Sequence, residues 1–362
     1  MMGTIKFKID LLRPNLPFII KDIIDRQYII QPEFNRYGAK GIIHALEDAK
    51  TNIDYLLSSI EADSKLLFQQ YNRWVNGLFT NLKLPVNSIE IFYICTKEVF
   101  KERFDTGLID KELFSKINEF IVSGIESLKN EEYESISYFQ EDNPFKELLN
   151  KYSEFIYAGN KISAIKLFTD ISRSDIEIKD IYRYILQPFQ LELGQLWHEN
   201  KITVAQEHFA TAISQVAMSL LYERIFSTPK NKKVFLGTCV QGELHEFGIR
   251  MICDYMEYCG WNTYYLGANM SHHGIIKMIN EKKPDIITIS CSMTFNISKV
   301  LDLIEAIKDS GISTPITVGG YPFNMDKSLW KKIGADASSS DFEEVYSMSE
   351  NLCSSTGAYE VI

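Results

Sequence analysis

The sequence predicts an α plus α/β protein: a helical N-terminal domain, a four-helix bundle, and a flavodoxin-like, Rossmann-type domain on a five-stranded parallel sheet. Three observations carry that prediction. Apolar residues recur at helical spacing up to about residue 228. After Lys232 the pattern changes to short apolar runs separated by helix-length segments. Capping and turn residues fall at the joints between them. The 362 residues are 45% hydrophobic and 24% charged, as in folded chains rather than disordered ones.

The first domain is expected over 1–143. No proline interrupts Gly41 to Leu82, where Ile53, Leu56, Ile60, Leu67, Tyr71, Trp74 and Leu78 mark one helical face, with a break near Asp63-Ser64. Further helices are expected near Ile89–Phe104 and Lys111–Leu128. Asn130 to Pro144, with Glu131, Glu132, Glu134, Glu141 and Asp142, reads as an acidic linker.

The bundle is expected over 144–228. Asn143-Pro144 opens its first helix, and Gly159-Asn160 closes it. The second runs near Ile162–Ser172. Ser174-Asp175 caps a third, which reaches about Glu199 and is kinked at Pro188. Thr203 with Gln206 is a capping-box pattern for the fourth, which runs to about Phe226.

The third domain is expected over 229–362. Strands are predicted at Lys233–Cys239, Asn262–Leu266, Asp285–Ser290 and Pro315–Val318, with a short fifth at Gly334–Ala337. Helices at His245–Cys259, Gly274–Lys282 and Ile297–Asp309 lie between them, and a last one starts at Phe342. The expected strand order is 2-1-3-4-5, which opens a ligand crevice beyond the carboxyl ends of strands 1 and 3.

Composition narrows the function. A net charge of −10, with the first 143 residues acidic as well, argues against a nucleic-acid partner. Charges at Lys6, Lys8, Asp10, Arg13, Lys21, Asp22 and Asp25 leave no room for a signal peptide in the first 26 residues, and no run suits a membrane span. The six scattered cysteines form no C-x-x-C pair, which fits reduced thiols and a cytoplasmic location. No Walker or G-x-G-x-x-G pattern occurs.

Three loops meet at the expected crevice. The first holds Glu243, His245 and Gly248; the second Ser290, Ser292 and Thr294; the third Gly319 and Gly320. Glu243 can fix the tautomer of His245 and leave its other nitrogen for a metal. One histidine does not hold a free metal ion, but it can be the axial ligand of a metal carried in a macrocycle. His272-His273 reads as a surface or rim pair, since adjacent residues point apart.

Glu243-x-His245-x-x-Gly248, Ser290-x-Ser292 and Gly319-Gly320 together resemble the cobalamin-binding signature. The resemblance implies that His245 is the lower cobalt ligand and Glu243 its orienting carboxylate. Ser290, Ser292 and Thr294 would line the pocket for the nucleotide tail, and Gly319 and Gly320 would admit it. In the bundle, Trp197-x9-Glu207-His208 resembles a motif of adenosylcobalamin-dependent photoreceptors. That likeness implies a cap in which Trp197 packs on the adenosyl group, Glu207 bonds it and His208 helps organise the cap. It also implies that His198 reaches cobalt once light has removed adenosyl. The domain order resembles photocobilins, which add a biliverdin. Trp74, Phe92, Tyr93, Phe100 and Phe104 would then line a bilin pocket or simply be core, with Cys95 or His44 as attachment or ligand.

The expected function is a light sensor that binds adenosylcobalamin and is no enzyme. It is expected to form a homo-oligomer, a dimer for choice, more associated in the dark, which would change on illumination and signal to an unknown protein partner. Two other readings compete: a corrinoid methyl carrier of a methyltransferase system, and a light-independent cobalamin sensor or scaffold.

Overall fold

A computed structural model describes residues 2–130 and 135–356. Glu131, Glu132 and Glu134 of the expected acidic linker, and the tail Gly357 to Ile362, lie outside the described residues. The chain divides into two compact units. One is residues 1–134 with Met293–Ser298, and the other is residues 135–292 with 299–362.

The first unit is built from α1 (Met2–Leu12), α2 (Leu16–Ile30), α3 (Gly38–Glu61), α4 (Lys65–Asn81), α5 (Ser88–Asp105) and α6 (Lys111–Asn130). The prolines explain the early breaks: Pro14, Pro17 and Pro32 each stand in the first turn of a new helical segment, where a missing N–H costs nothing. The long proline-free stretch does break where Asp63 takes a left-handed φ of +46°. Ile53, Leu56, Ile60, Phe68, Tyr93, Phe100 and Phe120 form its core.

Met293–Ser298 belongs to this core as well. The Phe295 ring meets Tyr55 edge-on at 5.4 Å, and Ser58 Oγ donates to the Phe295 carbonyl at 3.3 Å. Phe92, Tyr93 and Phe100 are buried against one another and their neighbours, as core side chains are. Cys95 is fully enclosed and burial pushes its thiol up to about 11, whereas His44 is exposed beside Glu47.

The second unit opens with α7 (Lys146–Tyr157), α8 (Lys161–Ser172), α9 (Ile178–Ile181), α10 (Gln187–His198), α11 (Val204–Ser219) and α12 (Tyr222–Phe226). The expected third helix is helical without a break from Ile178 to His198, but it is not α-helical throughout. A π-turn at Tyr182–Leu186 separates α9 from α10, and Pro188 sits in the first turn of α10. Pro188 has no N–H to give the Tyr184 carbonyl four residues back. Asn143 Nδ2 donates to that carbonyl instead, at 2.8 Å. Ser174 does not cap α9 but closes α8, its Oγ donating to the Ile171 carbonyl. Thr203 and Gln206 form the expected capping box.

The sheet follows: β1 (Val234–Cys239), β2 (Asn262–Tyr265), β3 (Ile286–Ser290), β4 (Ile316–Gly319) and β5 (Ala337–Ser338), all parallel in the order 2-1-3-4-5. The two strands beside the switch point, β1 and β3, are buried almost throughout, as their unbroken apolar runs require. The intervening helices are α13 (Phe247–Tyr258), α14 (His272–Lys282), α15 (Ile297–Asp309), α16 (Tyr321–Met325) and α17 (Leu329–Lys332), and α18 (Phe342–Thr356) ends the unit. One core joins the bundle to the sheet: Tyr152, Tyr182 and Phe189 pack with Ile249, Met256, Trp261 and Phe342. No helix among the described residues is long and apolar enough to cross a membrane.

Candidate corrinoid site

Strand register assembles the site. Cys239 pairs with Ser290, and Ser290 pairs with Gly319, so β1, β3 and β4 end in one row. The loops after them therefore start side by side at the crevice where the strand order reverses.

The loop after β1 carries Glu243 and His245. Glu243 is wholly buried, although carboxylates are rarely so placed without partners. Its Oε1 accepts from the His245 backbone N–H at 3.0 Å and lies 2.7 Å from His245 Nδ1. Its Oε2 accepts from the Ser292 N–H at 2.9 Å, across the gap to the loop after β3. The imidazole is 61% exposed. With Nδ1–H given to Glu243, Nε2 keeps its lone pair for a metal. The bond to Glu243 is also the main reason the His245 pKa is raised; burial opposes it, and the charges of Glu243 and Glu207 add to it. Among the described residues no group of three or more His, Cys, Asp or Glu side chains gathers to hold a metal ion. A single backed imidazole instead fits a cobalt whose other ligands come from a corrin ring.

The glycine pair is fixed by the protein's own packing. A Cβ on Gly319 would lie 2.7 Å from the Ser339 carbonyl, and Gly320, at φ +112°, lies directly against the Cys291 carbonyl. Both positions thus keep the loops after β3, β4 and β5 in close approach. Ser290 is buried at the end of its strand, and Ser292 is half-buried. Thr294 is buried in the Met293–Ser298 segment, which belongs to the first unit. Gly248 stands exposed in the first turn of α13, with open space around it.

The bundle contributes its α10–α11 end. Asn200 takes a left-handed φ of +56°, and the Lys201 N–H returns to the Leu196 carbonyl at 2.8 Å. This tight turn brings half-buried Trp197 and Glu207 to the same end. Glu207 Oε1 accepts from Thr211 Oγ1 at 2.9 Å. His208 is 74% exposed, with Nε2 3.4 Å from Glu207. His198 differs from its neighbours: only 1% exposed, its ring is enclosed by protein. His272 and His273 open α14, the first half-buried and the second exposed.

Sequence reasoning passed over Asn269 and Glu246. The Asn269 side chain accepts from the Gly242 N–H at 2.8 Å, and Glu246 Oε2 accepts from the Ala268 N–H at 2.8 Å. Their only signal is the turn-forming run Gly267-Ala268-Asn269 after β2.

Known proteins carry the same two parts. Family models for a B12 binding domain match residues 233–346 and residues 148–222. The dimethylamine corrinoid protein 3 of Methanosarcina acetivorans is 22% identical over 209 residues, which is 57% of this chain and 96% of that protein. A corrinoid protein of Desulfitobacterium hafniense is 25% identical over 52% of this chain and 89% of its own length. The solved monomethylamine corrinoid protein of Methanosarcina barkeri, 18% identical, superposes with a TM-score of 0.51, covering 57% of this chain and 99% of that one. The first 147 residues lie outside both family matches.

Proposed function

Residues 148–222 and 233–346 are B12-binding domains, and from that premise we propose that the chain is a corrinoid carrier, which keeps a cobalt-bound alkyl group under its helical bundle. The observation that carries this reading is the buried Glu243 bonded to His245 Nδ1 at 2.7 Å, which leaves Nε2 for cobalt. Cobalamin, when bound, supplies a weak cobalt–carbon bond. Everything else falls to the chain. Glu243 holds the Nδ1 proton and sets the ring's direction. Ser290, Ser292, Gly319 and Gly320 line the way for the nucleotide tail. Gly248 keeps the first turn of α13 clear. Trp197 and Glu207 cover the opposite side.

Methyl is the alkyl group this reading favours, with a methyltransferase as the protein partner. Its support is the similarity to dimethylamine corrinoid proteins over nearly their whole length. One observation favours a second reading, the light sensor: Trp197 and Glu207 are both half-buried where the turn joins α10 to α11. In that reading the cargo would be adenosyl, Trp197 and Glu207 would contact it in the dark, and light would change the assembly of a dark dimer.

One experiment separates the two. The protein is incubated with methylcobalamin or adenosylcobalamin and followed by absorption and size exclusion, in the dark and after green light. A carrier retains methylcobalamin at least as firmly as adenosylcobalamin and elutes alike in both conditions. A sensor prefers adenosylcobalamin and shifts its elution after light. Retention of neither ends both readings.

A further inference from the structure

The loop that carries His245 is splinted along one side by the loop after β2, residues 266–270. The Leu266 N–H donates to the Gly237 carbonyl at 2.9 Å, and the Cys239 N–H donates to the Gly267 carbonyl at 3.1 Å. Further along, Asn269 grips the His245 loop at two adjacent residues. Its N–H donates to the Glu243 carbonyl at 2.9 Å, and its Oδ1 accepts from the Gly242 N–H at 2.8 Å. Two atoms of one residue thereby hold the peptides on either side of the Gly242–Glu243 bond. Asn269 does this at φ +54°, a left-handed conformation that asparagine adopts more readily than most residues.

Glu246 fixes the other end. Its Oε2 accepts from Tyr265 Oη at 2.7 Å and from the Ala268 N–H at 2.8 Å. Only Leu244 and His245 lie between the two anchors, and the His245 N–H is itself bonded to Glu243. Asn269 and Glu246 both act on the backbone from which the imidazole projects.

We propose that Asn269 and Glu246 are positioning residues for the histidine that ligates cobalt: they hold the loop in the one conformation that aims Nε2 at the metal. The inference rests on the corrinoid reading above. Asn269 is exposed, so its bonds compete with water and contribute little to the folded state as a whole. Their loss therefore acts on the loop. Conformers in which His245 swings away become populated, and ligation falls by the fraction they occupy.

The test uses the full chain loaded with cobalamin and reduced to cobalt(II). Electron paramagnetic resonance then reads the splitting from an axial imidazole nitrogen, and dilution into free hydroxocobalamin reads the release rate. Asn269→Gly keeps the left-handed backbone and deletes the acceptor. It should give a mixed nitrogen signature and release about five-fold faster, at an unchanged unfolding temperature. Asn269→Asp keeps the acceptor and should restore both. Tyr265→Phe removes one of the two donors to Glu246 and should give an intermediate loss. If Asn269→Gly and Tyr265→Phe both fold and keep the parent's signature and release rate, the inference is overturned while the corrinoid reading stands. If the parent itself shows no nitrogen signature, the corrinoid assignment of His245 falls first and takes the inference with it.

Discussion

Replacing His245 with alanine deletes the nitrogen that the corrinoid reading gives to cobalt, and Glu243 beside it is committed to two backbone N–H groups. The variant should lose the axial-nitrogen signature outright. Glu243→Gln keeps an acceptor for the imidazole but not the charge. Outer partners of this kind change affinity about 10- to 100-fold, and a loss of that size in cobalamin affinity is expected here. Electron paramagnetic resonance of the cobalt(II) form checks the first and titration calorimetry with hydroxocobalamin the second, and a parent-like nitrogen signature in His245→Ala would remove it from the site. Gly320 makes a different kind of demand. Alanine there needs a left-handed φ and pushes its Cβ into the Cys291 carbonyl, so the loops after β3 and β4 must separate. The expected cost is about 3 kcal/mol or more, read from urea unfolding without cobalamin.

At the scale of elements, the π-turn Tyr182–Leu186 is tied to α13 by a buried bond. Tyr182 Oη donates to Asp254 Oδ2 at 2.7 Å. Burial pushes the Asp254 carboxyl up to about 6, against the bond from Tyr182 and the charge of Arg250. The folded chain therefore binds this proton more tightly than the unfolded chain does. Its contribution is most favourable below the unfolded pKa near 4 and is lost as pH rises to about 6, by up to about 3 kcal/mol. Asp254→Asn keeps an acceptor for Tyr182 and removes the charge. It should unfold at a higher temperature than the parent at pH 7.5, with the gap closing towards pH 4; a constant gap would refute the assignment. This turn also marks the limit of what the chain's letters reveal. The capping box, the helix break at Asp63 and the apolar runs of β1 and β3 are local patterns and were legible. The π-turn depends on Asn143, 41 residues from the carbonyl it serves, and no periodicity shows that bond. Short α16 and α17 were missed because neither is long enough to establish a helical period. At the site, Glu243 and His245 stood out because their chemistry and spacing are local. Asn269 and Glu246 matter through partners supplied by a different loop.

Over the whole molecule, the strongest prediction concerns a chain lacking residues 1–134. Both family matches begin beyond that stretch, which invites a cut at its end. Yet Met293 and Phe295 pack into its core, and Phe295 meets Tyr55 there. The shortened chain should therefore bind an apolar dye more strongly than the parent and unfold at a lower temperature, whether or not cobalamin is present. Equal dye binding would count against that packing. Shuffling genes by whole segments assumes that each structural module is written in one unbroken passage. Here six residues of one module are spelled out inside the reading frame of the other. A recombination event that moved residues 1–134 onto an unrelated partner would leave part of the module behind, so inheritance of the two is expected to be joint: substitutions at Tyr55 or Ser58 should be followed through descent by compensating changes at 293–298.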